Sequence, residues 1–190
     1  MTLASHFVTD RVRFGLAADA LVERAARAAR RGVTAIQVRE RDLCDRDLIA
    51  LVRRIRHAVE GTRTLVLVND RTDIAIAAGA AGVHLRGDSL PARRVRALAP
   101  PGFVIGRSVH SAAEVDAAGA EGACDYLLFG TVFPSAGKPP GHRATGLDAL
   151  KDACRRSPVP VIAIGGVDES RLALLEESGA AGFAAVGMFM

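Results

Sequence analysis

Short apolar runs recur along the chain, each closing on polar residues or glycine and each followed by a stretch with helical spacing. The runs are His6–Asp10, Val33–Arg39, Thr64–Asn69, Gly82–Leu85, Val104–His110, Tyr126–Val132, Val159–Ile164 and Gly182–Gly187. They are continuous and do not alternate with polar residues, the signature of strands buried on both faces. Between them lie amphipathic stretches over Ala17–Arg31, Asp45–Glu60, Asp73–Ala80, Pro91–Leu98, Ala112–Ala120, Leu147–Arg156 and Glu169–Ser178. Small-residue segments such as "GVTA", "AGVH", "GACDY" and "AAGFAAV" lead repeatedly into a run. Strands alternating with helices predict a parallel sheet. Strict alternation with right-handed crossovers closes most simply into an α/β fold of the (β/α)8 TIM-barrel type, with a doubly wound open sheet as the rival. The sequence reads as one domain over 1–190, with no linker or low-complexity segment. The eighth helix is missing, because Met190 comes directly after the last run. The face this leaves bare predicts either a homo-oligomer, with a second copy covering it, or a sequence that stops short of the natural end.

Composition narrows the function. Apolar residues make up 49% of the chain and aromatics only 4%, so aliphatic side chains must do most of the packing. The net charge of +4 is mild and rests mostly on scattered arginines. No aromatic interleaving accompanies it, so nucleic acid is not the expected partner. A small anionic substrate needs only a few well-placed cations. Three cysteines, Cys44, Cys124 and Cys154, show no CxxC spacing, which predicts reduced thiols in a cytoplasmic protein. No apolar run approaches the ~20 residues of a membrane span.

In a barrel the chemistry gathers at the carboxyl ends of the strands. Those ends here carry Thr9 and Asp10, Gln37, Arg39 and Arg41, Asn69 and Asp70, His84 and Arg86, Ser108 and His110, Thr131, Gly165 with Gly166, and Gly187. Gly165 and Gly166 precede Asp168, Glu169 and Ser170 at a helix start. Glycine N–H groups can approach an oxyanion there and the helix dipole would add to it, so this is the expected phosphate site, with Gly187 beside it. "QVRER" places Gln37, Arg39 and Arg41 on one side of an extended chain. Arg39 can hold an anion bidentately, and Glu40 is a candidate ion-pair partner for it. The Gly/Pro-rich loop over Gly130–Gly146 is a candidate lid whose Lys138 could clamp an anion. His110, in "GRSVHS", carries the side chain that both takes and gives a proton near neutral pH.

The segments "FVTDR", "QVRER", "VNDRTDIA", "GVHL", "GRSVHS", "DYLLFGTVFPSAGK" and "VPVIAIGG", in this order and spacing, resemble the thiamine-phosphate synthase/TenI superfamily over nearly the whole chain. The resemblance implies one of two activities. The synthase joins a hydroxymethylpyrimidine pyrophosphate to a thiazole phosphate with Mg2+. The TenI-type tautomerase aromatises a carboxylated thiazole ethyl phosphate by a proton shift, with no cofactor. The synthase pattern carries Lys where Arg41 stands, and a metal-binding Asp where Ser89 stands. Its Thr-x-Thr-Lys loop is reduced to Ser135–Lys138. These departures favour the tautomerase, with His110 as acid and base and Ser108 beside it. Its phosphorylated thiazole would be held by Gln37, Arg39, Arg41, Asn69, Thr131, Lys138, Gly165, Gly166 and Gly187, with no metal. On the synthase alternative, Asp70 and Asp88 would hold Mg2+. A barrel that binds a phosphorylated metabolite without turnover is the third reading.

Overall fold

The computed structural model describes residues 3–135 and 141–190. Eight strands run β1 (Ala4–Val8), β2 (Ala35–Val38), β3 (Leu65–Asn69), β4 (Gly82–Leu85), β5 (Val104–Val109), β6 (Tyr126–Gly130), β7 (Val161–Ile164) and β8 (Gly182–Ala185). Each pairs in parallel with the next, and β8 closes on β1 through Ala4 opposite Gly182. The helices are α1 (Ala18–Arg30), α2 (Asp45–Ala58), α3 (Thr72–Ala77), α4 (Ala92–Leu98), α5 (Ala112–Glu121), α6 (Gly146–Arg156) and α7 (Leu172–Glu177). This is the predicted TIM barrel; among the described residues no helix follows β8. Among the described residues no helix is long and apolar enough to cross a membrane.

The helices form where sequence and dipole agree. In α2, Leu48, Leu51, Val52 and Ile55 are buried, a single stripe at helical spacing, with Asp45 and Asp47 in the first turn and Arg56 and His57 in the last. Cys44 lies at the N-cap of α2 and is a helix-start thiol. In α1 the stripe is Leu21, Ala25, Ala28 and Ala29, whose small side chains bring the helix close to the sheet. The strands divide their residues by the period of two. Phe7, Ile36, Val68, Val83, Ile105, Leu127 and Ala163 face the helices in the larger core. Val8, Ala35, Leu67, Leu128, Ile162 and Ala184 fill the barrel interior.

That interior also holds polar groups. Tyr126 is buried, and its hydroxyl lies 3.0 Å from His84 Nδ1. The ring of His6 packs edge-on against Tyr126, with centroids 5.2 Å apart. Space for the phenol comes from Gly106 on the neighbouring strand, where an added Cβ would fall 2.0 Å from Tyr126 Cζ. Most predicted elements shift by one to three residues at an end, and two of the shifts have a clear physical cause. β1 begins at Ala4, earlier than the apolar run, because small residues let it approach β8 closely. The seventh helical stretch is a 3-10 turn over Glu169–Arg171 followed by the six-residue α7.

Two outcomes follow from this interior. Gly106→Ala overpacks a rigid, hydrogen-bonded ring and is expected to cost about 1–3 kcal/mol or more in urea unfolding; Gly106→Ala with Tyr126→Leu should recover part of the loss. Burial holds both imidazoles neutral, pushing His6 down to about 4 and His84, which also feels His6, down to about 3. In the unfolded chain they titrate near ~6.5, so below that pH the unfolded state binds more protons and stability falls as pH drops toward 4. The urea midpoint should decline from pH 7 to 4.5, and the decline should be shallower in a His6→Leu/His84→Gln variant.

Candidate active site

Inward-facing positions continue past the strand ends in steps of two, and so decide which side chains enter the mouth. The series Gln37–Arg39–Arg41, His84–Arg86–Asp88 and Ser108–His110 all line one cavity of about 980 Å³ at the carboxyl ends of the strands. Asn69, Thr131, Gly165, Gly166 and Gly187 line it as well. Asp70 does not, since it stands one position off the inward series.

On the β1–β2 wall, Arg39 pairs with Asp10 at 2.8 Å. Burial lowers the pKa of Arg39, and Asp10 works against that shift. Glu40 is not the partner that the sequence suggested. It faces away from the mouth, is 3% exposed, and accepts the Arg11 main-chain N–H at 3.1 Å on each carboxylate oxygen. Burial raises its pKa. Glu40 thus fastens the loop after β1 to the end of β2, leaving Arg39 to Asp10. Arg41 and Arg13 line the cavity, and neither guanidinium has a carboxylate partner among the described residues; only the Arg13 main-chain N–H donates to Asp10, at 3.4 Å. Gln37 Nε2 donates to Asn69 Oδ1 at 3.2 Å, which fixes both amides across the β2–β3 pair.

On the β4–β5 wall the expected pairing of Ser108 with His110 gives way to another. Ser108 Oγ lies 2.8 Å from His84 Nε2, at the top of the chain that starts at the Tyr126 hydroxyl. The parity of β5 puts both Ser108 and His110 inward, but the ring of His84, which stands opposite Gly106 in the register, reaches Ser108 diagonally, and His110 is a full step higher. His110 Nδ1 lies 2.5 Å from the Gly130 carbonyl and, since a carbonyl oxygen only accepts, donates to it. The backbone is pinned too. Ser111 caps α5 by accepting Glu114 N–H at 3.2 Å, while Glu114 accepts the His110 N–H at 2.9 Å.

Between these walls, Asp70 and Asp88 are joined by Arg86. Its guanidinium lies 2.5 Å from Asp88 Oδ2 and 3.8 Å from Asp70 Oδ2. Ser89 donates to Asp70 Oδ1 and accepts the Arg86 N–H at 2.8 Å. Asp70 adopts a left-handed backbone, φ 65°, which aspartate tolerates better than most residues. Mg2+ needs near-octahedral oxygen ligation. Among the described residues no group of three or more His, Cys, Asp or Glu is placed to hold an ion. With a guanidinium already between the two carboxylates, this donor set does not fit Mg2+.

The opposite wall carries the glycine pair that the sequence marked as the expected phosphate site. Gly165 and Gly166 have φ of 101° and 63°, and an added Cβ would meet Thr131 Cγ2 or the Pro134 carbonyl, each at 2.3 Å. Only glycine fits, and its N–H groups stay open to approach. The expected helix dipole is weak here, because a three-residue 3-10 turn stands where a long helix was predicted. Arg171 lines the cavity beside this turn, 3.6 Å from Asp168. It donates to the Gly166 carbonyl and lies over the Phe133 ring at 4.8 Å. Lys138, the predicted clamp, lies outside the described residues. Sequence reasoning missed Arg13, Arg171 and Glu114, and it named His84 and Arg86 only as strand-end residues. The inward parity of β4 could have brought both into the site; Arg13 and Arg171 come from turns and left no periodic signal.

The comparisons with known proteins agree on one family. The family model described as thiamine monophosphate synthase matches residues 5–189. A curated thiamine-phosphate synthase of Coprothermobacter proteolyticus is 39% identical over 82% of this chain and 72% of its own length. One from Methanoculleus marisnigri is 41% identical over 84% of this chain and 75% of its own. The solved thiamine phosphate pyrophosphorylase of Pyrococcus furiosus superposes with a TM-score of 0.84 at 32% identity, covering 97% of this chain and 85% of that one. These relatives overturn the tautomerase expectation. Arg41, Ser89 and the shortened Ser135–Lys138 motif are departures within a sequence that is otherwise similar to synthases. The match spans almost the whole barrel, and the chain belongs to the thiamine monophosphate synthase family of enzymes.

Proposed function

We propose that the chain is a thiamine-phosphate synthase, joining a hydroxymethylpyrimidine pyrophosphate to a thiazole phosphate. The observation that carries this reading is its similarity, at 39% and 41% identity, to curated synthases. The mouth supports it, because a coupling of two phosphorylated molecules needs two separate anion subsites in one cavity. Gly165, Gly166 and Gly187, with Arg171 behind them, suit a single phosphate. Arg39 and Arg41 suit the diphosphate across from it, and Lys138 is the candidate clamp over it.

The reaction forms a bond from the thiazole nitrogen to the pyrimidine methylene carbon and breaks that carbon's bond to the diphosphate oxygen. The electron pair leaves with the diphosphate, and the ring nitrogen becomes positive. No proton need move, so His110 has no acid–base task here. Its cavity-side Nε2 and the Ser108 hydroxyl serve as hydrogen-bonding groups that orient the pyrimidine and the leaving group. The arginines stabilise charge as it gathers on the departing oxygens, which raises rate only as far as they hold the transition state better than the substrate.

Incubation with both substrates is expected to yield thiamine phosphate and pyrophosphate in equal amounts, read by mass spectrometry; absence of both products at every Mg2+ concentration would overturn the assignment. Arg41→Ala removes a charged hydrogen bond of about 1.5–3 kcal/mol, a loss of roughly 10- to 100-fold in kcat/KM. Gly166→Ala is expected to raise KM for the thiazole phosphate more than for the pyrimidine pyrophosphate; the reverse ranking would move the phosphate site elsewhere.

A further inference from the structure

We propose that Arg86 is the resident cation of the corner formed by Asp70, Asp88 and Ser89, and that it sets this chain's affinity for divalent ions: Mg2+ can reach the two carboxylates only by displacing it. The inference deepens the synthase reading and rests on it for its catalytic consequence. The guanidinium bridges Asp88 and Asp70. The second Asp70 oxygen accepts from Ser89, whose own oxygen is held by the Arg86 N–H. The turn is therefore a closed circuit in which each Asp70 oxygen already has a partner.

Charge and space point the same way. Two carboxylates would present −2 to an incoming ion; with Arg86 between them they present −1. An exposed pair of this kind contributes little to stability, since the Arg86 and Asp88 side chains are 45% and 70% exposed. Its effect lies in what it excludes. Mg2+ gives up its water reluctantly and demands fixed oxygen ligands. A carboxylate already neutralised by a guanidinium repays that dehydration poorly. Ser89 contributes a hydroxyl where a carboxylate would add a third charge. Arg86 lines the cavity, so the same guanidinium can turn toward a diphosphate oxygen and carry part of the neutralisation that a divalent ion would otherwise supply.

The test uses Mn2+ as a paramagnetic probe, titrated by electron paramagnetic resonance into the full chain without substrates. Wild type, Arg86→Gln, Ser89→Asp and the double variant are compared, with circular dichroism as the check of folding. Removing a positive charge within ~5 Å of a divalent ion should tighten binding at least about tenfold in Arg86→Gln, and Ser89→Asp should add to it in the double variant. In parallel, the coupling rate is measured against Mg2+ concentration. Wild type is expected to depend on Mg2+ less steeply than the double variant. Wild-type binding of one Mn2+ as tightly as the double variant would overturn the inference. If no variant forms thiamine phosphate, the synthase reading fails, while the Mn2+ titration still decides whether Arg86 governs ion affinity.

Discussion

Closure of eight parallel strands into a ring is the constraint on which everything else depends. A parallel strand can return only through a crossover, so all eight carboxyl ends must emerge on the same side. Once β8 hydrogen-bonds to β1, those ends share a single mouth. Side-chain alternation then sorts them. Each inward position adds to the packed interior while the strand lasts and to the cavity once it ends. The same rule that buries Ala35, Leu67 and Leu128 delivers Arg39, Asn69 and Gly130 to the opening.

The charges at the mouth fall into two kinds. Five arginines and four acidic residues line it. Arg39, Arg86 and Arg171 are tied to Asp10, Asp88 and Asp168. The guanidinium groups of Arg13 and Arg41 are not tied to any carboxylate among the described residues. Tied arginines hold the loops at fixed spacing, and the untied ones give the opening its excess of positive charge. A low-dielectric interior below strengthens each of these interactions with an anion above it.

Much of this was legible in the sequence. Continuous apolar runs between amphipathic stretches gave strand and helix alike, because burial on both faces leaves no other pattern. The polar strand ends named Gln37, Arg39, Asn69, His84, Ser108 and His110 among the cavity residues, since closure alone brings them together, while the turns supplied Arg13 and Arg171. What escaped were partnerships. Ser108 meets His84 because Gly106, the register partner of His84, leaves the space between them open, and Glu40 meets Arg11 because of a loop; neither shows as periodicity. The 3-10 turn at Glu169–Arg171 escaped because its residues also suit a helix. The choice between two reactions went wrong for a specific reason. Ser89 replaces a carboxylate with a hydroxyl, but that alone does not separate the two reactions, because Arg86, three residues before it, stands between Asp70 and Asp88 in the same corner.

We have proposed that one mouth receives two phosphorylated molecules on opposite walls. A crystal structure of the protein with thiamine phosphate and pyrophosphate bound together is the decisive measurement. The ester phosphate is expected on the N–H groups of Gly165, Gly166 and Gly187, and the pyrophosphate against Arg39, Arg41 and Arg86. Both anions on the same wall, or either one outside the barrel mouth, would contradict it.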